Sequence, residues 1–407
     1  MSKGTGIFAG LKVIDCASFI AGPAAATILS DFGADVIKIE PPGIGDPHRF
    51  LYRVAPNPPS EKNYFWQLTN RNKRSLALNL KDPQGAAILK KLIVEADVFV
   101  VNFPPHVRKS LQLTYEDIAL INPQIIYADI SGYGEKGPEA DKPGFDVTAY
   151  WARTGLMDAA RNAGGPPAFP VSGIGDHATA STLYGAIVTG LYRREKTATG
   201  CRVSTSLIGE GAWAAAGWIQ AALDGAKCSG PSEDRDNPHN ALANTYHTED
   251  NRWLILALVQ EAKDWPNLVA AINKTELLTD SRFVDPKARR ANAPALMQIL
   301  QDAFYTRPLA YWREVLDKMN VTFGVVQTIE EVATDQQLLL NDVIRPIENA
   351  NSESGTHTVD SPVKIQGEQK IQPRLAPDLG QHSEEILAEL GFAQAEIAEL
   401  KQTGVIA

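Results

Sequence analysis

Short apolar runs alternate with longer amphipathic stretches through the first third of the chain. Lys12–Cys16, Asp35–Glu40, Ser75–Leu80, Val98–Val101 and Ile125–Ile130 have the length and the Val/Ile content of strands. Helical patterns separate them. One opens at Gly22-Pro23-Ala24 and stops at Gly33, one runs from Asp82-Pro83 through Glu95, and one covers Tyr115 to Ile121. In the second, Asp82 caps the free N–H groups, Pro83 fits the first turn, and Ile88, Leu89, Leu92 and Ile93 form an apolar stripe beside polar Lys90, Lys91 and Glu95. Strands alternating with helices predict a mainly parallel sheet covered on both faces, an α/β fold.

After a loop from Gly132 to Gly144, helical patterns from about His177 to Arg194 and from Ile208 to about Leu223 flank a strand, Arg202–Leu207. These close a large domain over residues 1–224. Residues 225–239 are rich in Gly, Pro, Asn, Asp and Ser and read as a linker. A smaller α/β domain, 240–329, holds strands Trp253–Val259 and Phe323–Val326 and helices Pro294–Phe304 and Pro308–Met319. A second linker, 330–360, leads to a C-terminal segment, 361–407, with helical patterns Ser383–Leu390 and Ala393–Lys401. Two domains suit a chain of 407 residues, too long for one ordinary core.

A formal charge of −9 argues against a nucleic-acid partner, so any anionic ligand must meet a local basic site. No run of eighteen apolar residues can span a bilayer, and the start, MSKGTGIFAG, lacks the apolar core of a signal peptide; the expected location is the cytoplasm. Cys16, Cys201 and Cys228 are too scattered for a disulfide framework or a zinc site and are expected as reduced, mostly buried thiols. The seven histidines are scattered as well, and no metal is expected.

Gly173-Ile174-Gly175-Asp176 places a carboxylate at the start of a helix behind two glycines that permit close backbone approach. The helix end should keep Asp176 ionised. Aspartate at a helix start is more commonly a plain cap, and capping is also the favoured role of Asp146, ahead of the aromatic Tyr150-Trp151. His177 is adjacent to Asp176 in sequence but points elsewhere on a helix. Asn70-Arg71-Asn72-Lys73-Arg74 concentrates three positive charges, suited to a phosphate or equally to a solvated turn; Arg49 and Arg108-Lys109 are further candidates. Neither G-x-G-x-x-G nor a Walker loop follows the first strand, which disfavours a nicotinamide enzyme or a kinase.

Taken in order, Gly10–Asp15, Ala21-Gly22-Pro23, Phe32–Glu40, Asn72-Lys73-Arg74-Ser75, Val101-Asn102-Phe103, Ser131–Gly134 with Gly137-Pro138, Gly175-Asp176 and Leu379–His382 resemble the family III CoA-transferases. The resemblance implies a Rossmann-like large domain, an interlocked homodimer, no tightly bound cofactor, and coenzyme A and acyl-CoA as substrates with a carboxylic acid. It implies Asp176 as the nucleophile, forming a covalent aspartyl intermediate. CoA contacts are implied at Ile20 and Ala21, at Asn70, Arg71, Asn72 and Lys73, at Asn102, Phe103 and Pro104, at Arg108, and at Lys142 and Phe145. Two departures bear on the substrate. Ile20 stands where formyl-CoA transferases have glutamine, and their glycine-run loop is missing near Asn237 to Tyr246. Gly132–Asp146 with Gly175-Asp176-His177 is more similar to the 2-hydroxyacyl and aryl-lactate branch, so 2-hydroxy, 2-enoic or aryl acids are the expected substrates. Related α-methylacyl-CoA racemases place a histidine where this chain has Phe145, which leaves racemisation, or a catalytically idle CoA-binding relative, as the alternatives.

Overall fold

The computed structural model describes residues 6–228, 234–350 and 355–407. They fall into two compact units: Met1–Met157 with Phe169–Cys228 and Gln336–Ala407, and Asp158–Ala168 with Ser229–Asp335. In chain order the first unit begins with β1 (Lys12–Asp15), α1 (Ala21–Asp31), β2 (Asp35–Glu40), α2 (Tyr64–Asn70), β3 (Arg74–Ala77), α3 (Pro83–Glu95) and β4 (Val98–Val101). It continues with α4 (Pro105–Ser110), α5 (Tyr115–Ile121), β5 (Ile126–Ser131), α6 (Ile174–Thr197), β6 (Cys201–Ser206) and α7 (Leu207–Ala214). The expected parallel sheet is present: six strands pair throughout in parallel, in the order β3-β2-β1-β4-β5-β6.

This is the Rossmann order, in which the connections turn in opposite directions from β1 and β4 and leave a crevice at their C-terminal ends. One face of the sheet packs Ile88, Leu89, Leu92 and Ile93 of α3 against Phe99 and Tyr127. The other packs α1 and α6 against Val13, Val100 and Ala128. All eleven residues of α1 are buried, and the small side chains of its Ala-rich first turns let it sit flat between sheet and α6. Helices Ser383–Glu389 and Gln394–Gln402 add Ile386, Leu387, Ile397 and Leu400 to the first face.

Most elements fall within a residue or two of the sequence pattern, and the differences have local causes. β3 stops at Ala77, beyond which Leu78 pairs with Ile406 of the tail in an antiparallel bridge and Asn79 donates its N–H to the Val405 carbonyl. The helix expected from Ile208 to Leu223 breaks at Ala215 into Leu207–Ala214 and Ala216–Leu223. Only Cys16 is a buried thiol: Cys201 lies on the edge strand β6 and is half-buried, and Cys228 is exposed. The second unit has its own core. Its antiparallel strands β7 (Thr245–His247), β8 (Trp253–Leu256) and β9 (Phe323–Val325) contribute Tyr246, Leu254 and Leu256, which cluster with helix residues Trp265, Leu268, Phe304 and Leu316.

The charged segment after α2 is neither solvated nor free. Arg71 makes a bidentate pair with Asp31 through Nε at 2.8 Å and Nη2 at 2.7 Å. Lys73 Nζ donates to Asp15 Oδ2, the carbonyls of Pro23 and Thr69, and Asn70 Oδ1 at 2.8–3.0 Å. Asn72 donates to Asp31 and accepts from the Arg374 amide. All four residues, Asn70 to Lys73, are buried. Removing one member of a buried pair leaves the other charge unpaired in a dry site. Arg71→Leu is therefore expected to lose about 3–5 kcal/mol of stability in urea unfolding, and a loss below about 1 kcal/mol would show that Asp31 finds compensation elsewhere.

Candidate active site

A cavity of about 480 Å³ opens at the C-terminal ends of β1, β4 and β5, the crevice that the strand order creates. Its wall brings together Ile20, Ala21, Asn102, Phe103, Pro104, Lys142, Phe145 and Asp176 from the sequence-derived set. Asn70, Arg71, Asn72 and Lys73 do not line it; they are buried and held in the contacts with Asp31 and Asp15 described above. Arg108 does not line it either. It is buried, donating to Tyr127 Oη at 3.5 Å and to Glu135, and Glu135 does line the cavity. Glu135 also takes a 2.6 Å bond from Arg202, so the arginine meets a carboxylate already tied to a second arginine.

Asp176 sits in the first turn of α6, whose N-terminus is shaped by two glycines. Gly173 adopts φ +87, where a larger residue would be strained. At Gly175 a Cβ would come within 2.3 Å of Asp146 Oδ1 and the Tyr150 ring, so only glycine admits those groups. The space is used by Asp146, which accepts the Gly173 and Gly175 N–H groups at 2.8 and 2.9 Å. Asp146 thus caps α6 across the chain, not the segment it begins. That segment, Asp146–Ala152, is a π-helical turn that no periodicity in the sequence foretells.

The capping changes the electrostatics of Asp176. Among the described residues its carboxylate has no hydrogen bond or ion pair, and burial together with the negative charge of Asp146 pushes its pKa up to about 7. The expectation that the helix end keeps it fully ionised is corrected: the helix donors that would favour the charge are held by Asp146, while desolvation opposes it. Burial and then Arg71 lower the pKa of His177.

The loop after β1 forms the facing wall, and sequence reasoning identified only part of what holds it. Asn102 clasps Ser18 twice, Oδ1 accepting its N–H at 2.8 Å and Nδ2 donating to its carbonyl at 2.7 Å. Asp46 Oδ1 accepts the Phe19 N–H at 3.0 Å. Lys38 Nζ lies 2.8 Å from Asp46 Oδ2 and donates to the Ala17 carbonyl. Burial would raise the Asp46 carboxyl and lower the Lys38 ammonium, but Lys38 reverses the first shift, and Asp15 followed by Asp46 reverses the second. Asp46 and Lys38 were missed because their roles depend on burial, which the bare sequence does not display. Ile20 completes the wall, its Cδ1 3.2 Å from the site a Cβ would take on Gly173. No cluster of three or more His, Cys, Asp or Glu among the described residues is placed to hold a metal ion.

The profile of CoA-transferase family III matches residues 8–383. The chain is 33% identical over 398 residues to the (R)-2-hydroxy-4-methylpentanoate CoA-transferase of Clostridioides difficile, covering 98% of each chain. It is 30% identical over 404 residues to the cinnamoyl-CoA:phenyllactate CoA-transferase of Clostridium sporogenes, covering 99% of this chain and 98% of the relative. A crystal structure of a CAIB/BAIF family protein from Brucella suis superposes with a TM-score of 0.82 at 26% identity, over 95% of this chain and all of that one. With a Rossmann-ordered sheet, a cavity at its switch point and a half-buried aspartate in the cavity wall, the chain belongs to CoA-transferase family III and is a CoA-transferase.

Proposed function

We propose that the chain moves coenzyme A from an acyl-CoA to a 2-hydroxy, 2-enoic or aryl carboxylic acid by way of a covalent bond to Asp176. The observation that carries this reading is the Asp176 carboxylate itself, which lies in the wall of a largely apolar cavity with no partner among the described residues and a pKa near 7. An oxygen of ionised Asp176 attacks the thioester carbonyl; the C–S bond breaks, giving an acyl-aspartyl anhydride and CoA thiolate. The thiolate attacks the aspartyl carbonyl, releasing the donor acid and leaving an aspartyl-CoA thioester. The acceptor carboxylate then displaces the thiolate to make a second anhydride. The thiolate attacks its acyl carbonyl, freeing Asp176 and the new acyl-CoA. The substrate class is supported by Phe145 and Ile20 in the cavity wall, where apolar surface suits a larger acid than formate, and by the names of the two relatives above.

Removal of the nucleophile tests the covalent step. Asp176→Ala should remain folded by circular dichroism and lose CoA transfer by at least about 10³-fold. Hydroxylamine or borohydride trapping of the wild type with acyl-CoA, followed by peptide mapping, should label Asp176. Label on Asp146, or near wild-type transfer by the variant, would assign the chemistry elsewhere.

Only ionised Asp176 can attack, and its pKa is raised, so kcat/KM should climb with pH through about 7 and level off above it. Burial is the first cause of the shift and Asp146 the second, so Asp146→Asn should move the midpoint to lower pH without restoring the ordinary carboxylate range. A profile flat from pH 5 to 8 would contradict this assignment.

The assembly we propose is the homodimer that the family resemblance implies. Helix Ala216–Leu223 buries none of its residues, and Trp213, Trp218 and Leu223 are exposed there, an apolar face that a second copy would cover. Light scattering at micromolar concentration should give about twice 44.2 kDa; a well-folded monomer would refute it.

A further inference from the structure

Phe19 is the one bulky aromatic residue among the described residues with a left-handed backbone, at φ +64. Such a conformation is costly for a side chain of this size and persists only where its surroundings impose it. Here they do: Asp46 holds the Phe19 N–H, and Asn102 holds both backbone groups of Ser18 just before it. Asp46 is itself fixed by Lys38, which also grips the Ala17 carbonyl. Three successive residues, Ala17 to Phe19, are thereby fixed, and Ser18 and Phe19 line the switch-point crevice.

The result of that strain is a placed ring. Phe19 lines the same cavity as Asp176 and meets Phe145 edge to face, with ring centroids 5.5 Å apart and an interplanar angle of 83°. Phe145 is 52% exposed although it belongs to the cavity wall, so one side of the pair is left without cover. Two rings at right angles offer an apolar corner, one face and one edge, that a branched or flat aromatic group can fill and a small polar acid cannot. We propose that Phe19, held in its strained conformation by Asp46 and Asn102, is a specificity-determining residue that selects acids with a branched or aromatic group next to the reacting carboxylate. The inference rests on the CoA-transfer reading of this cavity and adds to it a residue that sequence reasoning passed over.

Glycine adopts positive φ without cost, so Phe19→Gly removes the ring while sparing the backbone. The readout is the ratio of kcat/KM for phenyllactate to that for acetate, in which any shared loss of CoA affinity cancels. We expect the ratio to fall at least about tenfold in Phe19→Gly, with Phe19→Leu between it and the wild type. Phe145→Ala, whose backbone is extended at φ −123, serves if Phe19→Gly does not fold, and should lower the ratio likewise. A ratio within about twofold of wild type in the folded variant overturns the proposal. A wild type that prefers formate or oxalate to every apolar acid would instead overturn the substrate class. The comparison of variant with wild type would still decide whether Phe19 sets the preference.

Discussion

The wall that the candidate crevice takes from the loop after the first strand depends on a group of buried charges at that strand's C-terminal end. Asp15 lies between two ammonium groups, 2.8 Å from Lys73 Nζ and 3.9 Å from Lys38 Nζ, and Lys38 reaches on to Asp46. These groups are essentially without solvent, where an unpaired charge would be prohibitive. Such a cluster need not stabilise the fold more than hydrophobic residues would. It does fix directions, because Lys73 Nζ, both oxygens of Asp15 and Oδ1 of Asp46 each meet a definite partner. Lys73 ties α2 to β1 and α1, and Asp46 ties the loop after β2 to Phe19. The basic segment Asn70 to Lys73 thus holds together elements that lead into the crevice wall.

Rigid walls matter because the proposed nucleophile is a weak one. An ordinary aspartate, with a pKa near 3.9, is a far better leaving group than a thiolate near 8.5. The tetrahedral adduct of such an aspartate with a thioester would expel the carboxylate again much faster than the thiolate. Raising Asp176 to about 7 brings the two groups within a few units and makes passage between thioester and anhydride more nearly balanced. The same desolvation would keep water from the two hydrolysable intermediates of the proposed route. The compromise is that part of the enzyme is protonated at neutral pH, which limits how far burial can usefully go.

Strand and helix positions were legible because period and punctuation determine them locally. Pro83 and Asp82 open α3 as the pattern indicates, and Asp35–Glu40 and Val98–Val101 are strands at the residues expected. Asp176 was legible as a motif. The fate of the basic segment was not, since the sequence shows Arg71 and Lys73 but not Asp31 and Asp15 lying against them. The left-handed Phe19 was equally hidden: glycine or asparagine announces such a backbone, whereas phenylalanine argues against it. Its conformation is imposed by Asp46 and Asn102, which lie 27 and 84 positions from the residues they hold, so no local rule could have supplied it.

Burial is the first cause of the raised pKa of Asp176, and the second is the order in which two carboxylates meet one helix end. The N-terminus of α6 offers roughly half a positive charge and a few free N–H groups. A single aspartate there would be stabilised as the anion. Asp146 takes those donors, accepting the Gly173 and Gly175 amides with both oxygens, and its charge raises the pKa of Asp176. Asp176, one residue beyond Gly175, then meets a neighbour of like charge in a desolvated wall, with no donor among the described residues to relieve it. A glycine at 175 is what allows this order, since any Cβ there would push Asp146 away and return the helix end to Asp176. The Gly-Asp pair is thus a single device, in which the first residue admits the charge that tunes the second.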